Sequence, residues 1–303
     1  MTHYQLVAQN KQRSFFIIFV FIAFIVGASY LMAEGFGYSL DIVAWALIFS
    51  GVTSFFSYFF SDKIILGISG AKEANRKEFF DFYTVTENIC LGQKMPMPKL
   101  YIIEDSAMNA FATGRNPEHA VVCATTGLLS RLNRSEVEAV VAHEMSHVKN
   151  YDILLMSVVS VLVGLIALLA DWMMRMSFWG GNRKRDNDNN GQLGAIIAIV
   201  AVILAILSPI IAQLIQLAIS RRREFLADAS GASMTKNPQG LIKALSKISQ
   251  DTEPLEVANN ATAHLYISNP LKNTKRAHAF AKLFNTHPPV EERIKALQEM
   301  RAI

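Results

Sequence analysis

The chain has 303 residues, room for two ordinary domains, but 51% are hydrophobic and 18% charged, against roughly 25% charged in soluble globular chains. That imbalance excludes a wholly water-soluble protein. The net charge of +4 comes with no basic patch interleaved with aromatics and no long Lys/Arg run, so no nucleic-acid partner is expected.

The apolar excess lies in four blocks free of charge: Phe15–Ala33, Ile42–Phe60, Ile153–Ala170 and Leu193–Ile219, of 19, 19, 18 and 27 residues. A bilayer core about 30 Å thick is crossed by ~20 apolar helical residues, and a charge at its centre costs several kcal/mol. About four transmembrane helices are therefore expected. The first block follows Lys11 and Arg13 as a signal peptide would. It is too long for one, however, and the second block begins after eight residues with no clear cleavage site, so residues 1–60 read as a hairpin anchor. The loop Glu34–Asp41 has no Lys or Arg, whereas Lys11, Arg13, Lys63, Lys72, Arg76 and Lys77 flank the hairpin; both its ends are expected in the cytoplasm.

Residues 61–152 are soluble in character. Asn75–Leu91 has the pattern of an amphipathic helix, and Lys99–Glu104 and Ala120–Thr125 of short strands. Cys90 and Cys123 form no C-x-x-C motif and are expected as free thiols. Ser135 and Glu138 are spaced as a capping box, and a helix is predicted from there to about Asn150, with Val137, Val140, Val141, Met145 and Val148 as its apolar positions.

That helix carries His143-Glu144-Met145-Ser146-His147, an H-E-x-x-H pentapeptide. Positions i and i+4 share a helix face, so both imidazoles can bind one zinc ion, and Glu144 can serve as general base toward a water. A catalytic zinc usually takes three protein ligands. Glu224 and Asp228, again spaced i, i+4, are the candidates: one carboxylate can ligate and the other can accept the second N–H of a ligand histidine. An ordinary solvated face, with Arg221, Arg222 and Arg223 as counter-ions, explains the same pair without a metal.

Residues 153–219 form a second apolar pair around a polar loop, 175–192. Zinc ligands on both sides of this pair must share a membrane face, so the chain between them crosses twice or not at all. The basic loop, with Arg175, Arg183, Lys184 and Arg185, disfavours two crossings; the length of Leu193–Ile219 favours them. Residues 220–303 complete the soluble part, with amphipathic patterns at Leu241–Ser249 and Val290–Met300.

H-E-M-S-H followed 77 residues later by E-F-L-A-D resembles the HtpX-type membrane zinc peptidases, relatives of the CAAX-prenyl endopeptidases. Asn109–Gly114 (N-A-F-A-T-G), Thr126–Leu129 (T-G-L-L), Asn150, Asp152 and His287–Arg293 (H-P-P-V-E-E-R) match the same pattern, so the resemblance spans nearly the whole chain. It implies a gluzincin-like metallopeptidase domain with a small β-sheet, facing the cytoplasm of a bacterial inner membrane. It also implies one Zn2+ per chain held by His143, His147 and Glu224, with Asp228 supporting a zinc-bound histidine. Glu144 would be catalytic. His287 and Arg293 would line the site and stabilise an oxyanion. The segment Asn109, Ala110, Phe111 and the strand near Ala120–Thr125 would form the edge where an extended substrate binds. The substrates implied are damaged or unfolded membrane polypeptides met at the lipid surface, in a quality-control role under stress; self-association as a homo-oligomer stays open. A sequence-specific processing peptidase, an idle zinc-holding scaffold and a transporter are the rivals. Glu144 argues against the scaffold, and the scarcity of ionisable residues in the apolar blocks argues against the transporter.

Overall fold

The computed structural model describes residues 3–36, 39, 41–165, 221–259, 262–270 and 288–300. Loop 175–192, the block Leu193–Ile219 and His287 lie outside these residues.

Two long helices, α1 (His3–Phe36) and α2 (Asp41–Ile68), form the expected hairpin. Their contact faces follow helical spacing. On α1 the buried residues are Asn10, Ser14, Ile17 and Phe21; on α2 they are Ser50, Ser54, Ser57, Ser61, Ile65 and Leu66. Small residues let helix backbones approach closely where lipid gives no hydrophobic drive to associate. The outward face of the pair exposes Phe15, Phe16, Phe19, Trp45, Leu47, Ile48, Phe55 and Phe56. A continuous apolar surface of this extent belongs in lipid. Val7–Gly27 and Val43–Ile68 are long and apolar enough to cross a membrane.

A mixed sheet follows: β1 (Lys72–Glu73), β2 (Lys99–Ile103), β3 (Ala110–Thr113) and β4 (Val121–Thr125), in the order β1-β2-β4-β3. β4 runs parallel to β2 and antiparallel to β3. The strand expected at Ala120–Thr125 therefore exists, but it lies inside the sheet with both edges paired, so it cannot receive a substrate strand. β3 is the edge. Gly114 ends β3 at φ 130, and a Cβ there would sit 2.3 Å from His119 O, so only glycine fits.

Helix α3 (Phe80–Gln93) starts five residues later than its sequence pattern suggests. Asn75 Oδ1 accepts the Lys77 N–H at 2.9 Å and folds residues 75–79 into a turn. A short α4 (Thr126–Arg131) leads into α5 (Arg134–Lys149). The capping box of α5 lies two residues before the expected one. Asn133 Oδ1 accepts from Glu136 N at 3.0 Å and Glu136 Oε2 accepts from Asn133 N at 2.9 Å, while the Ser135 hydroxyl donates to Asn133. Lys247 also bonds Glu136, at 2.7 Å, so tertiary packing selects this box.

At Tyr151, whose φ is 60, the chain turns by 84° into α6 (Asp152–Leu165). Leu154, Leu155, Val158, Val159 and Leu162 of α6 pack on Ile17 and Phe21 of α1. The soluble core lies between the sheet, α3, α5, α7 (Arg221–Thr235), α8 (Pro238–Gln250) and α9 (Val290–Glu299). The last two match the amphipathic patterns read at Leu241–Ser249 and Val290–Met300. The architecture is mainly helical with a small mixed sheet. Among the described residues it has two apolar spans, or three if α5 and α6 count as one broken span.

Candidate metal centre

α5 places His143, Glu144 and His147 on its inner face, and α7 crosses it with Glu224 and Asp228; all five side chains are buried. Gly231 permits the crossing: a Cβ there would meet His143 N at 2.9 Å and its Cα at 3.1 Å. One turn of glycine on α7 thus sets how closely the carboxylates approach the histidines.

The two Nε2 atoms lie 3.3 Å apart. Glu224 Oε2 is 3.8 Å from His143 Nε2, and Oε1 is 3.6 Å from His147 Nε2. Tetrahedral ligands about 2.0–2.1 Å from a metal stand about 3.3–3.4 Å from one another. Two buried ring nitrogens aimed at one point, with a carboxylate beside them, therefore fit a metal ion; the three ligand atoms all lie within 4.8 Å of one another.

Each histidine is oriented from behind. His143 Nδ1 lies 2.9 Å from Asp228 Oδ1, and His147 Nδ1 lies 3.1 Å from Asp152 Oδ2. The Asp152 carboxylate on His147 Nδ1–H fixes the tautomer that leaves Nε2 free to ligate; Asp228 stands at ion-pair distance from His143 Nδ1 without an aligned hydrogen bond. Burial alone would lower the His147 pKa, but the Asp152 hydrogen bond and the charges of Glu224, Asp152 and Glu144 raise it to about 9. Burial would likewise raise that of Asp228; Arg293 and His143 outweigh it and hold the carboxyl below its usual range. Glu144 is raised, chiefly by burial, with His143 and His147 pulling the other way. A carboxylate raised in this way takes up a proton more readily than an exposed one, as a general base requires.

The structure gathers His143, His147, Glu224, Glu144, Asp228 and Arg293 into one cluster. Asp152 joins it in a way the sequence motif did not reveal: it lies five residues after His147 across the bend, where helical spacing gives no signal. Asn10 of α1 reaches the same carboxylate, donating to Asp152 Oδ1 at 2.7 Å and to Asn150 O at 2.8 Å. Arg293, expected to reach toward an oxyanion, is fully buried with its guanidinium engaged elsewhere. Nε and Nη2 donate to Asp228 at 2.8 and 2.7 Å, and Nη1 donates to Ile267 O at 3.1 Å and lies 3.6 Å from Glu224 Oε2. It braces the two carboxylates from behind.

Asn109, Ala110 and Phe111 lie at the start of the edge strand, but that edge is partly covered. Ala110 O accepts from Ile267 N at 2.9 Å, and Asn109 Nδ2 donates to Ser268 O at 3.1 Å. Phe111 points into the core against Tyr266.

Residues 81–301 match the model of peptidase family M48. The chain is 44% identical over 301 residues to a protease HtpX homolog of Thermoanaerobacter pseudethanolicus, covering 99% of this chain and 98% of that one. It is 41% identical over 302 residues to the protease HtpX homolog of Streptococcus uberis, covering 98% and 99%. The crystal structure of S. mikatae Ste24p shares its fold, with a TM-score of 0.50 at 18% identity over 97% of this chain and 67% of that one. Matches that run almost end to end at such identity, on a chain with a buried His–His–Glu cluster beside apolar helices, leave one assignment: the chain belongs to peptidase family M48, as a membrane protease of the HtpX type.

Proposed function

We propose that the protein is a zinc endopeptidase that cuts misfolded membrane polypeptides on the cytoplasmic side of a bacterial inner membrane. The observation that carries this is the pair of Nε2 atoms 3.3 Å apart with Glu224 closing the triangle and Glu144 on the same helix face. The all-imidazole-and-carboxylate donor set suits zinc, one ion per chain. His143, His147 and Glu224 would hold it; when bound, the ion supplies Lewis acidity to a scissile carbonyl and makes a water more acidic. Glu144 accepts the proton of that water and returns it to the departing amine. Asp228 and Asp152 fix the histidine tautomers, and Arg293 positions Asp228 and Glu224. His287 is proposed as a donor to the oxyanion on family resemblance alone.

The bend at Tyr151, which sets the site at the foot of α6, supports a site near the lipid surface, where a membrane polypeptide would present its ends. The basic flanks of the hairpin support the cytoplasmic side. Substrate would enter as a strand along Asn109–Phe111, which requires the bond from Ile267 to Ala110 to open.

Wild type and Glu144→Gln, each stripped of metal and reloaded with zinc, are compared on casein and on an unfolded membrane protein. Cleavage by the wild type alone, only with zinc, supports the proposal. Equal zinc binding by both with no cleavage of either substrate would leave a metal-holding scaffold.

A further inference from the structure

A cavity of about 570 Å3 opens on the far side of Asp152 from the histidines, between the start of α1, the bend and α7. Arg13 lines it from α1, and Arg222, Arg223, Phe225 and Leu226 line it from α7. Arg223 is 11% exposed at its side chain and sits 3.6 Å from Asp152, the acidic residue among the described residues of the lining. Arg13 lines the same cavity from α1 with the same charge. Among the described lining residues, three guanidiniums meet one carboxylate in a partly desolvated space, and guanidinium forks match phosphate oxygens.

The cavity's height identifies the anion. Arg13 precedes the apolar run that begins at Phe15 by two residues, and α6 becomes apolar at Ile153, directly after Asp152. Arg13 falls near the N-terminal end of the candidate span Val7–Gly27 and shares the cavity with Arg222 and Arg223, a level that suits a headgroup, and Phe225 and Leu226 offer apolar contact beside them. A free inorganic anion has no use for such contact; a phospholipid does, through its glycerol and first methylenes. We propose that this cavity binds the phosphate of an anionic phospholipid headgroup, clamped between α1 and α7. Because Asn10 and Arg223 both contact Asp152, the bound lipid would tie the hairpin to the catalytic half at the carboxylate that orients His147.

The test uses the purified full chain in neutral detergent, with melting temperature and native mass spectrometry as readouts, neither of which needs proteolysis. Phosphatidylglycerol, phosphatidylcholine, glycerol phosphate and inorganic phosphate are titrated separately. The expected result is a saturable rise in melting temperature and one retained lipid per chain with phosphatidylglycerol, and neither with the other three. Each arginine contributes about fivefold to binding, so Arg13→Gln with Arg222→Gln raises the half-saturation concentration ~30-fold. Arg222→Gln alone, at an exposed position, gives about fivefold without risk to the fold. Lys72→Gln, remote and exposed, leaves the response unchanged. An equal response to phosphatidylcholine or to inorganic phosphate, or an unchanged response in the double variant, overturns the proposal.

Discussion

His147 and Asp152 face each other across an 84° bend, the histidine at the end of α5 and the carboxylate at the start of α6, with 3.1 Å between Nδ1 and Oδ2. Replacing Asp152 by Asn removes the acceptor charge that fixes the imidazole. Zinc affinity is expected to fall by about 10–100-fold, as for other residues that orient metal-bound histidines. Competition titration with a chromogenic chelator reads this directly, and unchanged affinity would contradict the orienting role.

Asn10→Ala leaves Asp152 Oδ1 and Asn150 O without that donor in a buried setting. Stability should drop by about 1–3 kcal/mol. Chemical unfolding in detergent measures it, with Gln12→Ala, exposed on the same helix, as the control expected to be neutral.

Arg293→Met keeps bulk but strands Asp228 and weakens the hold on Glu224. Breaking a buried ion pair from one side costs about 3–5 kcal/mol. The metal-free protein should lose this much. Arg293→Lys should recover only part of it, since one ammonium cannot replace the two parallel bonds to Asp228.

The His147 pKa of about 9 in the metal-free protein gives metal binding a pH signature. Below that value the ring is protonated and a metal must displace the proton. Zinc affinity should therefore rise about tenfold per pH unit from neutrality and level off above about 9. Isothermal titration in buffers of different ionisation enthalpy counts the proton released; a flat profile would show that the ring is already neutral.

Asn133→Ala should destabilise by about 1 kcal/mol, the usual loss of an N-cap, whereas Ser135→Ala should change little. Thermal melting of the two variants separates the observed cap from the one that spacing alone favours.

The helices and the pentapeptide were legible because their signals are local: charge-free runs for α1 and α2, and an i, i+4 pair of histidines for the ligand face. Glu224 needed the family resemblance, since i, i+4 carboxylates beside three arginines look equally like a solvated face. Asp152 matched the family pattern but carried no role there, and Asn10 was not legible. Their bond joins residues 142 positions apart, and neither side chain leaves a periodic trace. The place of β4 between β2 and β3 is likewise set by pairing between segments distant in sequence. The cap moved from Ser135 to Asn133 because Lys247, more than a hundred residues away, reaches Glu136. Arg293 read as an outstretched cation until its carboxylate partner on α7 was in view.

The bond from Ile267 to Ala110 also makes the edge of β3 a contested position. With substrate entering there as proposed, an arriving polypeptide would not meet a vacant groove; it would compete with a tethered rival from the same chain, whose effective concentration is in the millimolar range for a short tether. A folded loop of a neighbouring protease molecule, able to offer one or two backbone bonds, loses that competition. A long extended segment, bonding along several residues at once, wins it. Under the proposed function, selection for unfolded chains would then require no reading of their side chains, and the protein's own ordered surface would be spared on the same grounds.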